Sequence, residues 1–172
     1  MNMNSIFAVG VALFLAASAP AASTIEGCAG SLERVVDGDT VDVNCSTWNN
    51  LERLRLIGVD TPERGHDGFR EATAFTKQWL ADNPSFAVIY VEANNRIERD
   101  RWERVLALIY PADADSGAEA TKRSLNAALL KSGHAETMAV KSNSVAVSFL
   151  TNEIGCVIVE CHDEPIPTRT EP

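Results

Sequence analysis

Three short stretches of the 172-residue chain carry side chains that could handle a phosphate ester. Asp39 follows the Asp37-Gly38 pair, a turn signal, so its carboxylate leaves the end of a hairpin. Asp60-Thr61-Pro62-Glu63 closes an apolar run, and Pro62 keeps the backbone out of helix so that its neighbours fan outward. Asp100 and Arg104 bracket Arg101-Trp102-Glu103 just before another apolar run. Two hard carboxylates, a free carbonyl, a further carboxylate and several arginines are the set phosphoryl chemistry requires: ligands for a hard cation, a base, and charge clamps. Singly, none of these stretches is specific, because an Asp beside a turn ordinarily does no more than make the turn.

The elements that must position these groups follow from periodicity. In VVDGDTVDV, residues 35–43, apolar residues alternate on both sides of Asp37-Gly38, which predicts a hairpin. LRLIGV, residues 54–59, predicts a third strand, and on it Arg55 shares a face with Ile57 and Val59, where a guanidinium needs an anionic partner. Phe86 to Val91 and Val105 to Tyr110 complete five short strands, as in a small barrel. Ala72, Phe75, Trp79 and Leu80 recur at helical spacing over Phe69 to Ala81. Ser124 caps a second helix, Leu125 to Ser132, and Gly133 stops it. Pro111 to Arg123 reads as a polar loop, and its Asp113-Ala114-Asp115-Ser116-Gly117 lacks the remaining ligands of a calcium loop. Beyond Val140 the pattern weakens. Val145 to Ile154 is helical by spacing but β-branched in content, and residues 165–172 form a loose tail.

Composition limits the classes. With 45% hydrophobic and 23% charged residues the chain can build one domain with a core, and it is neither disordered nor fibrous. The formal charge is −9, and a uniformly acidic surface repels polyanions. The charge is uneven, however: residues 22–52 hold six acids and one Arg, whereas from Arg53 to Arg104 nine acids meet nine bases, eight of them Arg. Arginine, more than lysine, grips phosphate at two points.

The N-terminal residues 1–21 carry no charged side chain, contain the apolar run Ile6 to Ala17, and end in Ala19-Pro20-Ala21, so they read as a signal peptide cleaved after Ala21. A single domain over residues 22–172 and a secreted or periplasmic destination follow; an uncleaved membrane anchor is the alternative, because no Lys or Arg precedes the run. Four cysteines lie after the cleavage site, and an even count in an exported chain points to disulfides. Three pairings exist. Cys28 with Cys45, flanking the hairpin, and Cys156 with Cys161, enclosing four residues, are preferred; no Cys-x-x-Cys pair is present to favour zinc.

Taken together, DGDT at 37–40, RLIGVDTPE at 55–63, EATAFTK at 71–77 and D-x-x-x-R-x-L-A at 100–107 resemble the staphylococcal-nuclease-like (thermonuclease) family in order and spacing, over residues 31–136. The resemblance implies an α+β OB-fold, a five-stranded β-barrel with two or three helices. It also implies a calcium-dependent, monomeric nuclease that hydrolyses DNA and RNA with little sequence preference and leaves 3′-phosphate ends. On that resemblance Asp39 and Asp60 supply calcium carboxylates and Thr61 a backbone carbonyl, Glu63 orients or deprotonates the attacking water, and Arg55 and Arg104 hold the scissile phosphate. The alternative is a non-catalytic OB-fold that binds single strands or a protein partner. A third reading, an acidic secreted inhibitor or adhesion protein, leaves the Arg-rich middle unexplained.

Several positions depart from the family pattern, and the family's third helix is barely recognisable after residue 140. Glu103 stands where the family usually has Gly, before the second arginine, and could compete for Arg104 or repel phosphate. Ala139 and Lys141 align with tyrosines that some members stack on a base, which predicts weaker nucleotide binding.

Overall fold

The computed structural model describes residues 24–93, 96–114 and 118–138. Its strands are β1 (Thr24–Val35), β2 (Thr40–Cys45), β3 (Glu52–Leu56), β4 (Val59–Asp60), β5 (Phe86–Ala93), β6 (Arg96–Ile97), β7 (Val105–Pro111) and β8 (Glu136–Thr137). The helices are α1 (Phe69–Asp82), α2 (Ala118–Arg123) and α3 (Leu125–Lys131).

A mixed five-stranded barrel closes in the order β1-β2-β3-β7-β5 and back to β1, with β3 and β7 as its parallel pair. This is the expected OB-type α+β architecture. Closure depends on β1 serving two neighbours: Thr24 to Gly30 pair with β5, and Gly30 to Val35 pair with β2. At the crossover Gly30 faces both Cys45 and Phe86, and a Cβ there would run into the Phe86 ring, so only glycine fits. Inside, Val41, Val43, Leu54, Leu56, Val88, Val105, Ala107 and Ile109 form the core; on β2 and β3 these are the apolar half of the alternation, whereas β7 is apolar on both faces and buries Leu106 and Leu108 as well. Cys28 and Cys45 join β1 to β2 as the expected disulfide, with Cα atoms 5.8 Å apart. Cys156, Cys161, the signal segment 1–21, the positions of Ala139 and Lys141, the stretch 145–154 and the tail 165–172 lie outside the described residues.

Three expectations change. The hairpin connection spans residues 36–39, with the amides of Val36 and Asp37 both donating to the Thr40 carbonyl, so Asp39 sits in the turn rather than on a strand. The third strand stops at Leu56; the chain turns at Ile57-Gly58 and starts again as β4, which pairs with β8. Arg55, Ile57 and Val59 therefore do not share a strand face. Ile57 instead packs with Val91 and Leu106 in a small second cluster. Finally, part of the stretch read as a polar loop is helix α2: six residues rich in helix formers bury Ala120 and Thr121, too short a run to show periodicity.

Helix α1 buries Ala72, Thr76 and Leu80 at i, i+4, i+8. Helix α3 starts where the Ser124 hydroxyl accepts from the Ala127 amide, as its capping residue predicts, and it buries Leu125, Asn126 and Leu129. Two polar residues on these buried faces have specific partners. The Thr76 hydroxyl donates to the Gly38 carbonyl, fixing the β1–β2 turn to α1. The Asn126 amide donates to the carbonyls of Ile57 and Ala107 and accepts from the Ile109 amide, fixing the β3–β4 turn to α3 and β7.

Candidate active site

The two turns held by Thr76 and Asn126 carry most of the chemistry. Asp39 leaves the first turn buried, at 6% exposure, with both carboxylate oxygens in use. Oδ1 accepts from the Thr40 hydroxyl at 3.0 Å, while Oδ2 accepts from the Thr61 amide at 2.8 Å and the Thr61 hydroxyl at 2.9 Å. Thr61 thus locks Asp39 with its amide and side chain, a duty beyond the carbonyl read from the sequence. Gly38 lies tight beneath this contact. A Cβ on it would come within 2.7 Å of the Thr61 hydroxyl oxygen, which accounts for glycine between the two aspartates.

Arg55 is 7% exposed, and its guanidinium fills the β3–β4 turn. Nη1 donates to the carbonyls of Leu56 (3.0 Å) and Val59 (2.7 Å) and lies 3.2 Å from Asp39 Oδ2. Nη2 donates to Asp60 Oδ1 at 2.8 Å and approaches Met138 Sδ at 3.6 Å. The anionic partner that a buried arginine demands is therefore present twice. Anchored by its Nη1 edge, Arg55 turns Nη2 toward the exposed carboxylate of Asp60.

Arg104 enters from the start of β7. Its Nε donates to Asp100 Oδ2 at 2.7 Å, and its Nη1 lies 3.4 Å from the Thr40 hydroxyl, linking it to the Asp39 group. Burial pushes the Asp100 carboxyl up, but donation from the Arg104 amide and guanidinium and the Trp102 amide outweighs this and holds it below its ordinary value. Trp102 projects into solvent at 60% exposure, flanked by the guanidinium groups of Arg101 and Arg104 at 3.8 and 4.9 Å from its ring centre. Glu103 is exposed and takes φ 63°, the left-handed conformation that glycine adopts without cost. That is the physical reason a glycine is usual there.

The structure joins Asp39, Arg55, Asp60, Thr61 and Arg104 into one network and leaves Glu63 beside it. The Glu63 side chain is exposed on the loop after Thr61 and has no hydrogen bond or ion pair among the described residues, while its carbonyl accepts from the His66 amide. Thr40 and Thr76 lie within the DGDT and EATAFTK motifs without a role of their own in the sequence; their one signal is a hydroxyl at a buried position on each element.

A family profile described as "Staphylococcal nuclease homologue" matches residues 53–151, more than half of the chain. The chain belongs to this family. The profile takes in Arg55, Asp60, Thr61, Glu63 and Arg104, and Asp39 precedes it. Among relatives of this nuclease homologue, a micrococcal nuclease of Shigella flexneri is 30% identical over 128 residues, covering 74% of this chain and 67% of the relative. An uncharacterized endonuclease of Escherichia coli is 34% identical over 84 residues, 49% of each chain. A thermonuclease of Staphylococcus hyicus is 36% identical over 83 residues, 45% of each. The matched stretch thus spans about half the length of several of these curated relatives.

The family implies calcium, and the donors can be tested against it. Asp39, Asp60 and the Thr61 carbonyl offer only oxygen, the preference of a hard cation. Among the described residues no three His, Cys, Asp or Glu side chains gather into a ready-made metal cluster. What the two carboxylates do share is a cation, the Arg55 guanidinium, so the site accommodates positive charge between them. Asp37 adds to the local excess of negative charge: burial, then the neighbouring Asp39, pushes its carboxyl up. The residues fit a hard cation in chemistry and charge.

Proposed function

We propose that this protein is an exported, calcium-dependent nuclease that hydrolyses the phosphodiester bonds of DNA and RNA with little sequence preference, leaving 3′-phosphate ends. The observation that carries the reading is the buried Arg55 guanidinium, anchored at Nη1 and offering Nη2 at a site it shares with Asp39, Asp60 and Arg104. Asp39, Asp60 and the Thr61 carbonyl would hold the calcium ion, which when bound supplies positive charge to a phosphate oxygen. Arg55 and Arg104 grip the scissile phosphate and stabilise charge growing on its equatorial oxygens. Arg55 does so with the nitrogen now bonded to Asp60, and Arg104 with the edge not bound to Asp100. Glu63, without a partner among the described residues, orients the attacking water and accepts its proton. These clamps touch phosphate and not base edges, in keeping with low sequence preference. The names of the relatives, micrococcal nuclease and thermonuclease, support the same reading, and the Cys28–Cys45 disulfide supports an oxidising destination.

Digestion of plasmid DNA and of labelled RNA, with calcium or with chelator, is the direct test. Cleavage of both polymers is expected with calcium and none with chelator. Glu63→Gln should lower turnover by about 10²-fold while nucleotide binding persists, because only water activation is lost. If calcium-saturated protein binds single-stranded and duplex substrates but leaves them whole, the protein is a binding module instead.

A further inference from the structure

One charged feature lies outside the site and is not needed by it. On the outer face of the barrel, Arg34 of β1 stands opposite Asp42 of β2, and Asp42 stands opposite Arg53 of β3. Leu54 of β3 pairs with Val105 of β7, so one step back along these parallel strands Arg53 comes alongside Arg104. Three neighbouring strands and the residue leading into β7 thus place Arg34, Asp42, Arg53 and Arg104 in a single cross-strand row. At about 4.8 Å per strand the row extends roughly 14 Å from the phosphate clamp.

The single carboxylate in the middle of this row serves both arginines beside it. Arg34 Nε and Nη2 donate to Asp42 Oδ2 at 3.2 and 2.7 Å; Arg53 donates from Nε to Oδ1 at 2.7 Å and from Nη2 to Oδ2 at 3.0 Å. Asp42 is nearly buried beneath them, whereas the Arg34 and Arg53 side chains are 62% and 46% exposed. Each guanidinium therefore has two nitrogens fixed to the barrel and keeps Nη1 without a partner among the described residues. Within the row two positive charges share one negative charge, and outside it the Asp37 carboxylate acts on Arg53 at longer range. The exposed edges are held in place rather than free on flexible stems, which reduces the entropy lost when an anion binds.

We propose that this arginine row is a track for the phosphate backbone that flanks the scissile bond, engaging a phosphate or more beyond the one held at Arg55 and Arg104. The inference rests on the nuclease reading and deepens it by specifying a polymer rather than a dinucleotide as the preferred substrate. A chain of net charge −9 repels polyanions in general, so a local positive row ending at the clamp determines where and in what direction a strand approaches. Duplex DNA carries one charge per strand for about every 3.4 Å of axis, so a row of this length meets more than one phosphate.

The test compares wild type with Arg34→Gln and with the triple change Arg34→Gln, Asp42→Asn, Arg53→Gln, which removes the charges together and leaves no unpaired carboxylate. Binding of a fluorescent single-stranded 12-mer is measured by anisotropy across salt concentrations in the Glu63→Gln background. KM and kcat are measured on the 12-mer and on a dinucleotide in chains with Glu63 intact. The triple variant should bind the 12-mer roughly tenfold more weakly at about 50 mM salt, with a salt slope smaller by about 1.4, or ~0.7 per lost single-strand phosphate contact. Arg34→Gln, which leaves the Arg53–Asp42 pair standing, should show about half of that change. The loss should appear in KM for the 12-mer and not for the dinucleotide. Unchanged 12-mer affinity and slope in both variants would overturn the track. If no variant cleaves anything and the slope still falls, the track stands and the nuclease reading fails.

Discussion

At the scale of single residues, Glu103 shows how a local conformation can be read as an electrostatic problem. From the sequence it is an acid beside a phosphate clamp; in the structure it is also an exposed residue at φ 63°, with its carbonyl accepting from Arg99 Nη1. A non-glycine residue in the left-handed region costs about 1–2 kcal/mol, and glycine gives back roughly 0.5–1 through the greater freedom of its unfolded chain. Glu103→Gly should therefore stabilise the protein by about 0.5–1 kcal/mol, and by the same amount at every salt concentration. If the carboxylate also opposes substrate, turnover should rise at low salt and the gain should fade as screening grows. Thermal melts and initial rates taken side by side separate the two effects; a variant that melts lower than wild type would show that the Glu103 side chain supports the loop. Arg55 makes the complementary point. Its need for an anionic partner was legible as a charge among apolar neighbours, although the strand ends one residue later and Ile57 turns away, so the conclusion held while the face assigned to it did not.

At the scale of elements, the β2–β3 ladder carries both structure and charge, and Asp42 is where they meet. The hydrogen bond from Arg53 lowers the Asp42 carboxyl, outweighing the burial that raises it, and Arg34 adds to the lowering. A carboxyl depressed in the folded chain takes up its proton at lower pH than in the unfolded chain. Its stabilisation is fully present above the ordinary carboxylate value and drains away as pH falls through the folded value. Asp42→Asn should accordingly lower the urea midpoint at pH 7, by about 1–2 kcal/mol of stability, and by progressively less below about pH 4. A gap between the two proteins that stays constant from pH 7 to pH 2 would show that Asp42 contributes by shape and not by charge. The elements themselves were legible where alternation was clean, as in β2, or where a short apolar run was continuous, as in β5 and β7. The first half of β1, Thr-Ile-Glu-Gly-Cys-Ala-Gly, has no such alternation; it becomes a strand because β5 lies alongside it, a long-range pairing that no local pattern encodes. Helix α2 escaped for a related reason, since six residues become helical by packing Ala120 and Thr121 inward rather than by propensity alone.

Across the whole molecule, the sequence order of charges becomes a spatial one. The balanced, arginine-rich middle from Arg53 to Arg104 begins on β3 and ends just before β7, the parallel pair, so its two ends stand side by side, with Arg104 at the site and Arg53 next to it. The candidate residues could be read from their motifs, but their convergence depends on barrel closure and on Thr76 and Asn126, whose significance appears only once the turns they hold are in place. Convergence also concentrates negative charge: Asp39 and Asp60 share one buried guanidinium, and Asp37 lies beside Asp39, in a chain already at −9. An ion that binds only the folded state stabilises it by mass action, by about 2.7 kcal/mol at a hundred times its dissociation constant. Saturating calcium should thus raise the melting temperature by several degrees. Sodium chloride at matched ionic strength should produce little of this, since diffuse screening of an acidic surface needs no particular ligands. Asp60→Asn is the decisive variant, because its exposed side chain can change without leaving a buried charge alone. It should fold, keep its stability without calcium to within about 0.5 kcal/mol, and lose both the calcium shift and cleavage. If Asp60→Asn keeps the full calcium shift, the ion acts on the general negative charge of the protein rather than between Asp39 and Asp60, and the metal assignment falls even if the nuclease activity stands.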